Sequence, residues 1–267
     1  MSGKGQSIDN EAEYNNRAAV PDHPAVMARW RSGAEAAREA HPPVTLSYGA
    51  GPRQTLDLFE AGPDAPVALF IHGGYWQALD ASWFSWVAAP LLAKGVSLAI
   101  PSYDLCPTVR LGTIVDQMRE AARLLQTRTG RRPVATGHSA GGHLSACLLS
   151  DGLASAAVAI SGLFDLEPLI STSINTAVGL SQAEAKGLSP LHWPVPAGGV
   201  LDCVVGGAET TEFIRQSRDM ASHWDAAGGA GGFEALPGLN HFTVLDPLAD
   251  PESPLVRRIA NLAHTAG

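Results

Sequence analysis

Five short apolar runs constrain the fold of this 267-residue chain more than any other feature. They are Val67–Ile71, Ser97–Ile100, Val134–Thr136, Ala156–Ile160 and Asp202–Val205. A strand with one wet face alternates apolar and polar residues, whereas a strand covered on both faces does not. Between the runs lie the helix-like stretches Ser82–Ala93, Thr113–Thr129, Ser139–Ser150 and Thr211–Ala227. Alternation repeated this often predicts an α/β chain with a doubly wound, mostly parallel sheet and helices on both of its faces.

Around that centre the sequence predicts a helical front segment over residues 1–43, chiefly Pro24–Ala40, stopped by His41-Pro42-Pro43. Short strands are expected at Val44–Tyr48, Thr55–Phe59 and Phe233–Leu236, and a surface loop at Gly228–Gly232. The stretch of about 165–196 breaks the rhythm with four prolines and reads as a cap-like excursion over the strand ends. Ligands of open α/β sheets bind outside those ends, so the excursion is expected to roof a pocket. The whole of 1–267 is expected to be one domain, since α/β enzymes of about 250 residues often are.

Composition removes several classes of function. A balance of 18 Lys+Arg against 26 Asp+Glu, net −8, gives no electrostatic footprint for nucleic acid. No apolar run exceeds five residues, which excludes a membrane-spanning helix. Met1–Asn10 is polar and lacks the apolar stretch of a secretory signal. Cys106, Cys147 and Cys203 match neither a zinc pattern nor a disulfide framework. The expectation is a cytoplasmic protein acting on a small molecule, with a homodimer allowed.

Chemistry concentrates in a few segments. Gly137-His138-Ser139-Ala140-Gly141 follows one buried run and opens a helix. This is the strand–turn–helix setting of a serine nucleophile elbow, where glycines permit a turn too tight for Cβ atoms. The competing reading makes Ser139 a mere helix cap. His72-Gly73-Gly74-Tyr75-Trp76 follows another run, and a Gly-Gly loop there supplies backbone N–H groups to an oxyanion. The expected donors are the amides of Gly73, Gly74 and Ala140.

A base is expected late in the chain, and His241 fits that place, with His192 its rival. The acid belongs after Asp202–Val205, which favours Glu209; Asp165 is the alternative, and Glu212 and Asp246 are weaker. Its role is to accept the His241 Nδ1–H and stabilise the imidazolium.

Taken together these segments resemble the kynurenine formamidase (arylformamidase) branch of the hormone-sensitive-lipase-like α/β-hydrolases. The likeness rests on His72–Trp76, Tyr103–Pro107, Phe164–Leu169, Glu212-Phe213 and Arg215-Gln216-Ser217, and Glu13–Arg17 is compatible. It implies the α/β-hydrolase fold, no metal and no organic cofactor, and Ser139, His241 and Glu209 as nucleophile, base and acid. Position 209 departs from the family's usual Asp by one methylene. The implied reaction removes a formyl group from an aryl amide such as N-formylkynurenine. Tyr75 and Trp76, with Trp83, are read either as walls of an aromatic leaving-group site or as core packing. Short-chain or aryl esters, thioesters and lactones are alternative substrates for the same residues, and a non-catalytic binding protein is the reading outside enzymes.

Overall fold

The structure, a computed structural model, describes residues 8–265, so the first part of the front segment 1–43 lies outside the described residues. The chain begins with helices α1 (Asn10–Tyr14), α2 (Asn16–Ala19) and α3 (His23–Ala40). Next come β1 (Val44–Ser47), β2 (Thr55–Phe59), β3 (Val67–Ile71), α4 (Ala88–Leu92), β4 (Ser97–Pro101) and α5 (Leu111–Thr129). They are followed by β5 (Val134–His138), α6 (Ala140–Ser150) and β6 (Ala156–Ile160). The excursion holds α7 (Asn175–Val178) and α8 (Gln182–Gly187) between short 3₁₀ turns. The chain then closes with β7 (Val200–Gly206), α9 (Thr211–Ala226), β8 (Ala230–Leu236) and α10 (Pro254–Thr265).

The eight strands form one sheet in the order β1-β2-β4-β3-β5-β6-β7-β8. β2 runs antiparallel to β1 and β4, and the remaining pairings are parallel. Successive strand residues go to opposite faces, as the pleat requires. Leu69, Ile71, Ala135, Ala157 and Cys203 join the core under Met118 of α5, Leu144 of α6 and Phe213 of α9. Their neighbours Ala68, Phe70, Val134, Val158 and Val204 join a second core under Trp30 of α3, Leu91 of α4 and Ile259 of α10. Cover on both faces is why these runs carry no polar alternation. Among the described residues no helix is long and apolar enough to cross a membrane.

Two expected elements differ. Ser82–Ala93 is not one helix but 3₁₀ turns at Ala81–Trp83 and Ser85–Val87 followed by the short α4. Pro90 explains this, because a proline is tolerated only in the first turn of a helix. A helix starting at Ser82 would place its ring in the interior. Gly228–Gly232 is not all loop, since β8 begins at Ala230. A Cβ on Gly231 would collide with the Ala221 carbonyl of α9, so the glycine lets helix and strand backbones meet.

Candidate active site

The strand order brings the carboxyl ends of β3, β5, β6, β7 and β8 side by side. At the end of β5, Ser139 turns the chain into α6 with φ 57° and ψ −117°. A serine rarely adopts that backbone, and holding it costs about 1–3 kcal/mol. The glycines around it are required by contact. A Cβ on Gly141 would strike the Ile71 carbonyl oxygen, and one on Gly142 would lie 2.8 Å from the Gly162 Cα. Ser139 N–H donates to the Ile160 oxygen at 2.8 Å, anchoring the turn to the next strand.

The loop after β3 runs along this elbow. A Cβ on Gly73 would stand 2.9 Å from the His138 carbonyl oxygen and 3.2 Å from the Ser139 Cβ. Gly74, Tyr75 and Trp76 follow with φ of 102°, 49° and 58°, three successive left-handed residues. Among the described residues the amides of Gly73, Gly74 and Tyr75 donate to no acceptor. The Ala140 amide opens α6, where helix N–H groups lack intrahelical acceptors. His72 braces the loop: its Nδ1–H donates to the Gly73 oxygen at 2.8 Å, and its ring stacks on Tyr103 at 4.2 Å. Complete burial pushes His72 down to about 4, so it is neutral.

His241 lies in the loop after β8. Asn240 Oδ1 accepts the amides of Phe242 and Thr243, which fixes the loop's shape. The imidazole sits between Phe213 and His138, with ring centroids 4.5 Å and 4.6 Å away. His138 Nε2–H donates to the His241 carbonyl at 2.7 Å, and burial drives its own pKa far down, keeping it neutral. Glu209 lies in the loop after β7, and its Oε2 accepts His241 Nδ1–H at 2.6 Å. The side chains of His241 and Glu209 are 6% and 0% exposed. Glu209 Oε1 accepts from Ser161 Oγ at 2.5 Å and from Gly206 N–H at 2.7 Å. Two donors on one oxygen and the imidazole on the other satisfy a carboxylate that is shielded from solvent.

Ser139, His241, Gly74 and Tyr75 line one cavity of about 390 Å³. Residues of the front segment, including Tyr14, Asn16 and Arg17, make another wall, and Ser173 and Ile174 of the excursion a third. Neither Ser139 Oγ nor His241 Nε2 makes a hydrogen bond to another described residue, so both are free to meet a ligand. Among the described residues no cluster of three His, Cys, Asp or Glu is placed to hold a metal ion.

Other expected residues fall elsewhere. Trp76 is fully buried against His143, ring centroids 5.2 Å apart, and is core rather than cavity wall. Trp83 is half-buried, packed on the second core beneath the Arg31 guanidinium, and does not line the cavity. Asp165 accepts the Glu167 amide as a local turn cap, and His192 is exposed in the excursion. Glu212 binds Tyr14 and Arg215, and Asp246 faces Arg29. Sequence reasoning passed over Ser161 and His138. Ser161 has φ 50° and is fully buried. Its one sequence signal is its place directly after the β6 run, beside the strand that leads into the Glu209 loop.

This fold and this elbow define an α/β hydrolase, and the α/β hydrolase fold model matches residues 68–187. Kynurenine formamidase of Drosophila melanogaster is 30% identical over 241 residues, covering 81% of this chain and 80% of the relative. The chain belongs to the kynurenine formamidase family of α/β hydrolases, and it is a hydrolase. A solved structure from Silicibacter sp. TM1040, provisionally named a thioesterase, is 36% identical with a TM-score of 0.84. It covers 94% of this chain and 99% of its own. An esterase of the bacterial hormone-sensitive lipase family shares the fold at 20% identity and TM-score 0.68, covering 93% and 99%.

Proposed function

We propose that this hydrolase removes the formyl group of an aryl formamide such as N-formylkynurenine, through a Ser139–His241–Glu209 triad and a formyl-enzyme. The carrying observation is the 2.6 Å bond from His241 Nδ1 to the fully buried side chain of Glu209, with His241 and Ser139 on one cavity wall. That bond holds the imidazole in the tautomer whose Nε2 lone pair accepts a proton. Ser139 Oγ attacks the formyl carbon while its proton passes to His241 Nε2. The tetrahedral oxyanion is met by the unpaired amides of the Gly73-Gly74 loop and by Ala140. His241 then protonates the arylamine nitrogen as the C–N bond breaks. Water, deprotonated by His241, attacks the formyl ester, and formate leaves as the proton returns to Ser139. The substrate assignment is supported by the likeness to the Drosophila kynurenine formamidase.

Ester or thioester cleavage is the second reading, favoured by the name of the 36% identical Silicibacter structure. Purified protein is assayed on N-formylkynurenine and on p-nitrophenyl acetate, each with Ser139→Ala as blank. A kcat/KM well above the ester value supports the formamidase. Ester cleavage without formamide turnover leaves the triad standing and removes the formamidase reading.

A further inference from the structure

The cavity carries an unpaired cation on its wall. Its ionisable lining consists of Glu11, Tyr14, Arg17, Tyr75, His138 and His241. Burial pushes both tyrosines far up and His138 far down, so all three are neutral. Glu11 is already satisfied: Ser173 N–H and Oγ–H donate to its two oxygens at 2.7 Å and 2.8 Å and hold its carboxyl below the usual range. Arg17 has no ion-pair or hydrogen-bond partner among the described residues, in a chain where 26 acids outnumber 18 Lys+Arg.

The helix bearing Arg17 is held in place by contacts far along the chain. Asn16 is 6% exposed, and its amide donates to Tyr75 Oη at 3.3 Å, beside the oxyanion loop. Tyr75 Oη–H donates to the Tyr14 carbonyl at 2.7 Å. Tyr14 Oη–H donates to Glu212 at 2.9 Å and accepts from Gln216 at 2.6 Å, tying the segment to α9. Thr210 Oγ–H donates to the Glu13 carbonyl at 2.7 Å. A largely desolvated network of this kind defines one geometry, since any unmade bond in it is costly. Arg17 is an exposed residue of the cavity lining, carried on a backbone that this network fixes.

We infer that Arg17 is a specificity-determining residue that binds a carboxylate on the substrate's leaving group, remote from the acyl carbon. A guanidinium offers planar paired donors that match a carboxylate, and a neutral carboxamide of the same shape lacks the charge. The inference rests on the acyl-transfer reading of Ser139 and His241, and it takes the leaving group to be an aromatic amine or alcohol carrying an acid side chain.

The test compares matched substrates. One pair is N-formylkynurenine and its side-chain carboxamide. The other is an aryl acetate bearing a propionate arm and the corresponding propionamide. The ratio of kcat/KM for acid over amide is expected to fall about tenfold in Arg17→Gln and to recover largely in Arg17→Lys. In the wild type the ratio shrinks with added salt, as expected for a partly exposed charge pair. An unchanged ratio in Arg17→Gln overturns the proposal, including the case where both rates drop together through loss of a structural contact. A ratio that falls on the acetate pair, with no turnover of either formamide, keeps Arg17 as the carboxylate site and rejects the formamide substrate.

Discussion

Replacing Glu209 with Gln exchanges a carboxylate oxygen for an NH2, and the hydrogen-bond donors around it decide the consequence. Ser161 Oγ–H and Gly206 N–H both point at Oε1, so the introduced amide must turn its oxygen to them. Its NH2 then faces His241 Nδ1, where Oε2 accepted a proton at 2.6 Å. An N–H cannot donate to an N–H, so the imidazole proton moves to Nε2. Nε2 then has no lone pair to take the Ser139 proton, and the imidazolium loses its buried counter-charge. The wrong tautomer in a comparable triad lowers kcat by about 10⁴, equivalent to about 5.5 kcal/mol of barrier. Glu209→Gln should therefore fold with an unchanged circular dichroism spectrum and lose about 10⁴ in kcat on p-nitrophenyl acetate. Activity within tenfold of wild type would refute the assignment of Glu209 and the tautomer argument with it.

Ser161→Ala removes one of two donors from Glu209 Oε1, and a hydrogen bond to a charged group contributes about 1.5–3 kcal/mol. We expect a fall in kcat of about 10- to 100-fold with little change in KM, measured by steady-state kinetics beside Ser161→Thr, which keeps a hydroxyl. Gly141→Ala should lower thermal stability by about 3 kcal/mol or more, read by calorimetry, because its Cβ collides with the Ile71 carbonyl of β3. His72 and His143 are held neutral by burial, each lowered from the ordinary 6.5 to about 4. Between those values the unfolded chain binds more protons than the folded one, so stability falls as pH drops through this window. Urea unfolding should show a loss approaching roughly 3 kcal/mol per histidine by pH 4, and a flat profile between pH 7 and 5 would contradict it.

The α/β class was legible because strands buried on both faces leave an unmistakable apolar signature, and because Gly137 and Gly141 have a steric duty that sequence displays. Glu209 and His241 were named from their order along the chain, yet their contact depends on the β7–β8 pairing, which no local pattern encodes. Ser161 was invisible for the same reason: a lone serine after a strand acquires meaning only when the Glu209 loop folds over it. Trp76 illustrates the converse. A motif aromatic beside a catalytic loop suggested a substrate wall, but the left-handed backbone at Tyr75 and Trp76 leaves the indole fully buried against His143. The front segment read only as helical, ended by His41-Pro42-Pro43, and its place as cavity wall arises from bonds between Tyr14, Tyr75 and α9 that span much of the chain.

The central claim, that Ser139 carries the acyl group between attack and release, is tested most directly by mass spectrometry of protein quenched in acid during turnover of p-nitrophenyl acetate. The account predicts one acetyl group on the peptide containing Ser139, absent from Ser139→Ala. An acetyl group on another residue, or steady turnover in Ser139→Ala, would contradict it.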